Sequence, residues 1–239
     1  MPAPNRIEPT DKRVRVLLGG EFIADTYHPL LVWELPYFPW YYIPLSDVNE
    51  GVLERTGEED GAITYTVRGG GREKPGAARA WPNSPELANA VGFAWKQMDG
   101  WFEEEEEIFA HPHDPHHRID VLRSSRHVEV EVDGVKVADS HSPVVLFETG
   151  LPVRYYLPQP DVRMDLLTPV DHTTQCAYKG TARYWSLETG TRTYPNFVWS
   201  YQFPTAEVGK IAGLVAFYNE KVDLIVDGER LERARSPFS

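Results

Sequence analysis

Residues 128–162, VEVEVDGVKVADSHSPVVLFETGLPVRYYLPQPDV, repeat residues 14–48, VRVLLGGEFIADTYHPLLVWELPYFPWYYIPLSDV, at a shift of 114 positions without a gap. The identical pairs are Val14/Val128, Val16/Val130, Gly20/Gly134, Ala24/Ala138, Asp25/Asp139, Pro29/Pro143, Glu34/Glu148, Tyr41/Tyr155, Tyr42/Tyr156, Pro44/Pro158, Asp47/Asp161 and Val48/Val162, which is 12 matches in 35 positions. Composition alone would give roughly two, so the chain carries an internal duplication and two domains of one topology are expected.

Each copy reads as β structure. Val14, Val16 and Leu18 alternate, Gly19-Gly20 supplies a turn, and Glu21-Phe22-Ile23-Ala24 resumes, which is a hairpin signal. A strand-like LLVWE follows, then the Pro-broken aromatic run LPYFPWYYIPLSDV. The two copies match more loosely beyond this point: Gly61–Tyr65 with Gly180–Tyr184, Trp81-Pro82-Asn83 with Tyr194-Pro195-Asn196, and Val91–Trp95 with Ala212–Ala216. LVAFYNEKVDLIVDG is read as a hairpin turning at Asn219-Glu220, and only Pro85–Val91 and Thr205–Ile211 suggest short helices. The domains are set at residues 13–110 and 119–232, with residues 1–12 a loose lead-in, FAHPHDPHHRIDVLRSSRH a linker that becomes the entry strand of the second domain and ERARSPFS a frayed tail.

The totals limit what such a chain does. With 36 acidic against 24 basic side chains the formal charge is -12, which repels a phosphate backbone and an anionic membrane alike, so neither is an expected partner. A single cysteine, Cys176, excludes an intrachain disulfide and a Cys-rich zinc site, which fits a reducing cytoplasm. There is no signal-peptide core and no apolar run of the roughly 18 residues that a membrane span needs. A soluble cytoplasmic protein is expected. No P-loop, GxGxxG, GxSxG or HExxH motif is present, and no cofactor is implied.

The copies differ where chemistry is possible. Arg154 stands where the first copy has Trp40, and Cys176-Ala177-Tyr178-Lys179-Gly180 has no counterpart in the first copy, which offers Glu59-Asp60-Gly61. The second copy therefore reads as the polar site, and the first as an apolar scaffold or a site for something greasier. On a strand Arg154 and Tyr156 share a face. With Lys179 they would suit a carboxylate, phosphate or carbonyl end, the Tyr ring stacking on the ligand's body and Tyr178 beside it. Glu148 and Asp161 are counted with the ligand-binding residues; the structural alternative pairs Arg154 with one of them. Cys176, three residues before Lys179, is the candidate nucleophile, with His172 as a possible base; a lone Cys also serves as a small buried hydrophobe. His111, His113, His116 and His117 with Asp114 invite a metal reading, but Pro and acidic neighbours interrupt them, so no metal site is assigned. The run Glu103–Glu107 reads as a solvated acidic strand or edge.

HPHDPHHRIDVLRSSRHVEVEVDG, VADSHSPVVLFETGLPVRYYLPQPDV, CAYKGTARYW and WSYQFPTAEVGKIAGLVAFYNEKVDLIVDGERL together resemble the DUF427 family in its two-domain form. The likeness rests chiefly on RYYLP, on Cys-x-Tyr-Lys-Gly and on VAFYNE; Ala177 stands where the family usually has Pro, and Val170-Asp171 where it often has Pro-Ser. The resemblance implies β-tent (Mss4-like) domains, each of two antiparallel sheets pinned at one edge, without zinc cysteines. It implies no established activity. A nucleotidyltransferase label sometimes given to the family is not adopted, because the Gly-Ser and paired metal-binding Asp of that chemistry are missing. The expected function is binding of a small organic molecule in a cleft of the second domain, with an enzyme acting through Cys176, Lys179 and Arg154 as the alternative.

Overall fold

The computed structural model describes residues 6–190 and 192–236; the expectations for residues 1–5 and for the last three residues of the tail lie outside the described residues. The chain divides into two units, Met1–Asp114 and Pro115–Ser239. The first contains β1 (Arg6–Pro9), β2 (Val14–Leu18), β3 (Glu21–Thr26), β4 (Leu30–Leu35), β5 (Phe38–Pro44), β6 (Leu53–Glu59), β7 (Ala62–Gly69), β8 (Arg72–Ala80), β9 (Ala90–Phe93), β10 (Gly100–Glu103) and β11 (Glu106–Ile108). The second contains β12 (Ile119–Arg123), β13 (Val128–Val132), β14 (Val135–Ser140), β15 (Val144–Glu148), β16 (Arg154–Leu157), β17 (Leu167–Cys176), β18 (Gly180–Glu188), β19 (Thr193–Tyr201), β20 (Val215–Phe217), β21 (Asp223–Val226) and β22 (Glu229–Arg230).

The topology is the same in both units. The larger sheet runs β1-β4-β5-β9-β8-β7-β6 in the first and β12-β15-β16-β20-β19-β18-β17 in the second; the smaller runs β11-β10-β2-β3 and β22-β21-β13-β14. Every pairing is antiparallel. Details repeat too: both first hairpins are irregular after the second matched valine, at Val16/Leu17 and Val130/Glu131. Isolated bridges join Ala24 to Val48 and Ala138 to Val162. The duplication is therefore a duplication of fold.

Each core lies between its two sheets, because the inward half of every alternating strand is apolar. Val14, Val16 and Leu18 of the small sheet meet Tyr41, Ile43, Val67 and Val91 of the large one; Val128, Val130 and Leu224 meet Tyr155, Leu157 and Val198. Full burial of one such side chain is worth about 1.5–3 kcal/mol. The hairpin tips pin the sheets together in two ways. In the first unit backbones touch directly, and a Cβ added to Gly70, whose φ is 51°, would lie 2.1 Å from the Gly19 carbonyl oxygen. In the second unit Asp133 accepts at 2.6 Å from the Tyr194 hydroxyl.

Four local expectations are corrected. Residues 6–9 are not a loose lead-in: β1 pairs with β4, Ile7 opposite Val32, as Val121 lies opposite Leu146. The 114-residue shift thus reaches back to residue 6. Asn219-Glu220 is not a hairpin turn, since β20 belongs to the large sheet and β21 to the small one. The alternation of LVAFYNEKVDLIVDG was real, but it spans a crossing between sheets. Residues 85–89 form turns leading into β9, which takes Ala90 and Val91, whereas Ala206–Ile211 is a short 3-10 segment, close to the expected helix. Finally, ladder register aligns Val91-Gly92-Phe93 with Val215-Ala216-Phe217, because Tyr42 faces Gly92 as Tyr156 faces Ala216. It separates Trp81, beyond the end of β8, from Tyr194, inside β19.

Candidate functional site

The face of the large sheet turned away from the small sheet is the place to look, because strand alternation sends there the residues the core does not take. In β16, Tyr155 and Leu157 enter the core while Tyr156 joins the outer cluster. Arg154, two residues from Tyr156 and opposite Leu146, shares that outer face. Tyr156, Ala216, Trp199 and Tyr184 are successive cross-strand neighbours, and Tyr201, Ala182 and Thr174 form the adjacent row. The Ala206–Ile211 segment covers part of this face by burying Val208 and Ile211 against it. Trp199 Nε1 donates to the Tyr156 hydroxyl at 3.3 Å. Burial pushes the Tyr156 and Tyr201 phenols well above their usual range.

Arg154 is 6% exposed, and its partner is neither Glu148 nor Asp161. Nη1 and Nη2 each donate to Glu220 at 2.7 Å, a two-pronged pair with a carboxylate fully removed from water. Trp199 and Tyr218 flank the guanidinium, 5.6 and 5.9 Å from ring centre to Cζ. Burial would raise the Glu220 carboxyl, but the Arg154 bond and a further bond from Ser236 hold it below the ordinary range. Asp161 is a structural residue. Its carboxylate accepts from Ser140 Oγ at 2.6 Å, as Asp47 accepts from Thr26 Oγ1 at 2.6 Å.

Glu148, at the end of β15, is the centre of a second charged group. Lys179 Nζ donates to its Oε2, and His117 Nε2 lies 3.1 Å from Oε1, where the Nε2–H form of the ring donates. Burial pulls the Glu148 carboxyl up, yet the His117 bond and the Lys179 charge outweigh it and keep it low. The turn that delivers Lys179 is itself packed down. Tyr178 stacks on His117 with ring centres 4.2 Å apart, and Thr205 Oγ1 donates to the Tyr178 carbonyl at 2.6 Å. Gly180 closes the turn at φ 90°, where a Cβ would sit 3.3 Å from the Phe203 carbonyl oxygen. Phe203 is 89% exposed at this rim. Cys176 is half-buried on the outer face, two residues beyond Thr174, near enough to act electrostatically on Tyr156 and Tyr201. Among the described residues no hydrogen bond reaches its thiol. His172 packs against Tyr184 at 4.8 Å rather than serving the thiol.

The sequence therefore brought Arg154, Tyr156, Tyr178, Lys179, Glu148 and Cys176 to one face, misplaced Asp161, and missed Glu220 and His117. The His-rich stretch contributes to both units. His111 stacks on Phe38 and Asp114 accepts from Trp33 Nε1 within the first unit, whereas His117 serves the second. His127, Asp139 and His141 do come together, but Asp139 already accepts from His127 at 2.7 Å and from Lys136 at 3.0 Å.

The matching face of the first unit is more open. Register places Arg79 where the second unit has Trp199, Trp81 where it has Tyr201, and Gly92 where it has Ala216. A cleft of about 390 Å³ results, lined by Glu34, Trp40, Tyr42, Arg79, Trp81 and Trp95 among others. Trp81 Nε1 donates to the Tyr42 hydroxyl at 3.0 Å, and that hydroxyl donates to Glu34 Oε1 at 2.7 Å.

The family model described as "Domain of unknown function (DUF427)" matches residues 6–104 and again 120–228. No curated protein matches the chain.

Proposed function

Since the chain belongs to the DUF427 family, whose description names no activity, its function has to be argued from its sites, and we propose that the second domain binds a small organic molecule at the outer-face cluster around Lys179. The observation that carries this reading is the Glu148, Lys179 and His117 group, three ionisable side chains almost withdrawn from water at the edge of an aromatic surface. Such burial is costly and concentrates at functional sites. An ammonium has three protons, and Glu148 is the one side chain among the described residues that accepts from Lys179 Nζ. A ligand carbonyl or carboxylate would take another of them, with Tyr178 beside its body. Arg154 lies on the same face with its fork filled by Glu220, so it is not offered to the ligand.

The enzyme reading through Cys176, Lys179 and Arg154 has less support, because catalysis by a thiol needs a base within hydrogen-bond reach. The deciding experiment is a thermal-shift screen of small carboxylates and carbonyl compounds against the wild type, Lys179→Met and Cys176→Ser. Compounds that stabilise the wild type should lose their effect on Lys179→Met and keep it on Cys176→Ser. Equal stabilisation of wild type and Lys179→Met would remove the reading; turnover abolished by Cys176→Ser would put the enzyme in its place.

A further inference from the structure

We propose that the cleft of the first domain is a second binding site, specific for a small organic amine whose ammonium sits on Glu34. This site is separate from the one around Lys179 and stands or falls independently of it.

The duplication supplies the argument. Glu34 and Glu148 occupy one position of the shared fold, 114 residues apart. In the second domain that carboxylate is neutralised by an ammonium of the chain itself, Lys179 Nζ, together with His117. In the first domain the lysine-bearing turn is replaced by Glu59-Asp60-Gly61. Glu34 is left half-buried in the cleft wall, and no basic side chain among the described residues pairs with it. Among the described residues its side chain takes one hydrogen bond, from Tyr42 to Oε1, so Oε2 remains available. A half-buried carboxylate without a counter-charge is a site waiting for a cation.

The rest of the cleft fits the same ligand. Trp40, Trp81 and Trp95 line it, all half-buried, with the Trp40 and Trp95 ring centres 5.8 Å apart. Indole faces attract cations and stack on flat ligands. The field agrees in sign: residues 1–114 hold 20 of the 36 acidic side chains but only 10 of the 24 basic ones, so they carry -10 of the chain's -12. The one cation in the lining, Arg79, is exposed and lies 3.7 Å from Glu59. The volume suits a ligand with one aromatic ring and a short amine arm.

Phenethylamine, phenethyl alcohol and phenylacetate share one ring and differ in the charge of the arm, so calorimetric titration of the whole protein with each tests the proposal. The amine should bind at least about tenfold more tightly than the alcohol, and phenylacetate should bind more weakly still. Glu34→Gln keeps an oxygen for the Tyr42 hydroxyl and should bring the amine down to the affinity of the alcohol. Arg79→Gln is a surface change and should tighten amine binding a few-fold by removing a like charge. No amine binding up to about 10 mM, phenylacetate binding as tightly as the amine, a folded Glu34→Gln with unchanged amine affinity, or an Arg79→Gln that binds amine more weakly would each overturn the site.

Discussion

Arg154 and Glu220 lie 66 residues apart and meet in a two-pronged pair, both bonds 2.7 Å, with neither side chain appreciably open to water. The pair ties β16 to the segment that leaves β20 for the small sheet, so it holds the two sheets of the second domain in relation to each other.

Removing one member of this pair should therefore unfold rather than merely blunt a binding site. Arg154→Ala strands a buried carboxylate and is expected to cost about 3–5 kcal/mol, whereas Arg154→Met combined with Glu220→Leu should cost far less. Urea unfolding of the three proteins decides this. A stable Arg154→Ala would mean that the pair contributes nothing to the fold.

Acid should weaken the second domain through Glu148 and Glu220, whose carboxyls both sit below the ordinary value of 4.5. A carboxyl lowered in the folded state adds stability that is fully present above its unfolded pKa and is lost as pH falls through its folded pKa. The unfolding midpoint should therefore drop below about pH 4.5, and Glu148→Gln should show a shallower drop than the wild type. Parallel curves would contradict the assignment.

Of the 12 tyrosines, Tyr41, Tyr42, Tyr156, Tyr201 and Tyr218 have phenols raised well above 10 by burial, reinforced at Tyr41 by Glu103 and at Tyr42 by Glu34. Spectrophotometric titration of the native protein should leave these groups un-ionised until alkaline unfolding releases them together. A smooth titration of all the tyrosines near pH 10 would show these buried rings to be wet.

Gly70→Ala should be far worse than Gly71→Ala, although both glycines have positive φ and adjoin in sequence. A Cβ at 71 meets open space, so only the backbone penalty of about 1 kcal/mol applies. At 70 it collides with the backbone of Gly19, and roughly 3 kcal/mol or more is expected. Denaturant midpoints of the two variants would separate these costs.

The two tandem domains, their strand content and the shared face of Arg154 and Tyr156 were legible in the sequence, because duplication and period-two alternation are local patterns that survive without knowledge of the fold. The end points of pairing were less legible. β1 has four residues and becomes a strand only because β4 offers it an edge. Partners of charge were not legible at all. Glu148 and Asp161 lay close to Arg154 in sequence, yet Glu220 takes it, since the chain crosses between sheets at that point and returns a carboxylate to β16. His117 read as linker composition, and only the packing of the Cys176–Gly180 turn gave it Glu148 and Tyr178. Likewise the first copy's open cleft depends on Arg79 standing opposite Gly92, with Trp81 just past the end of β8, in a register that no single stretch of sequence encodes. Side-chain alternation is fixed by each strand alone, whereas which strands lie side by side, and therefore which charges and cavities meet, is set by burial of the whole chain.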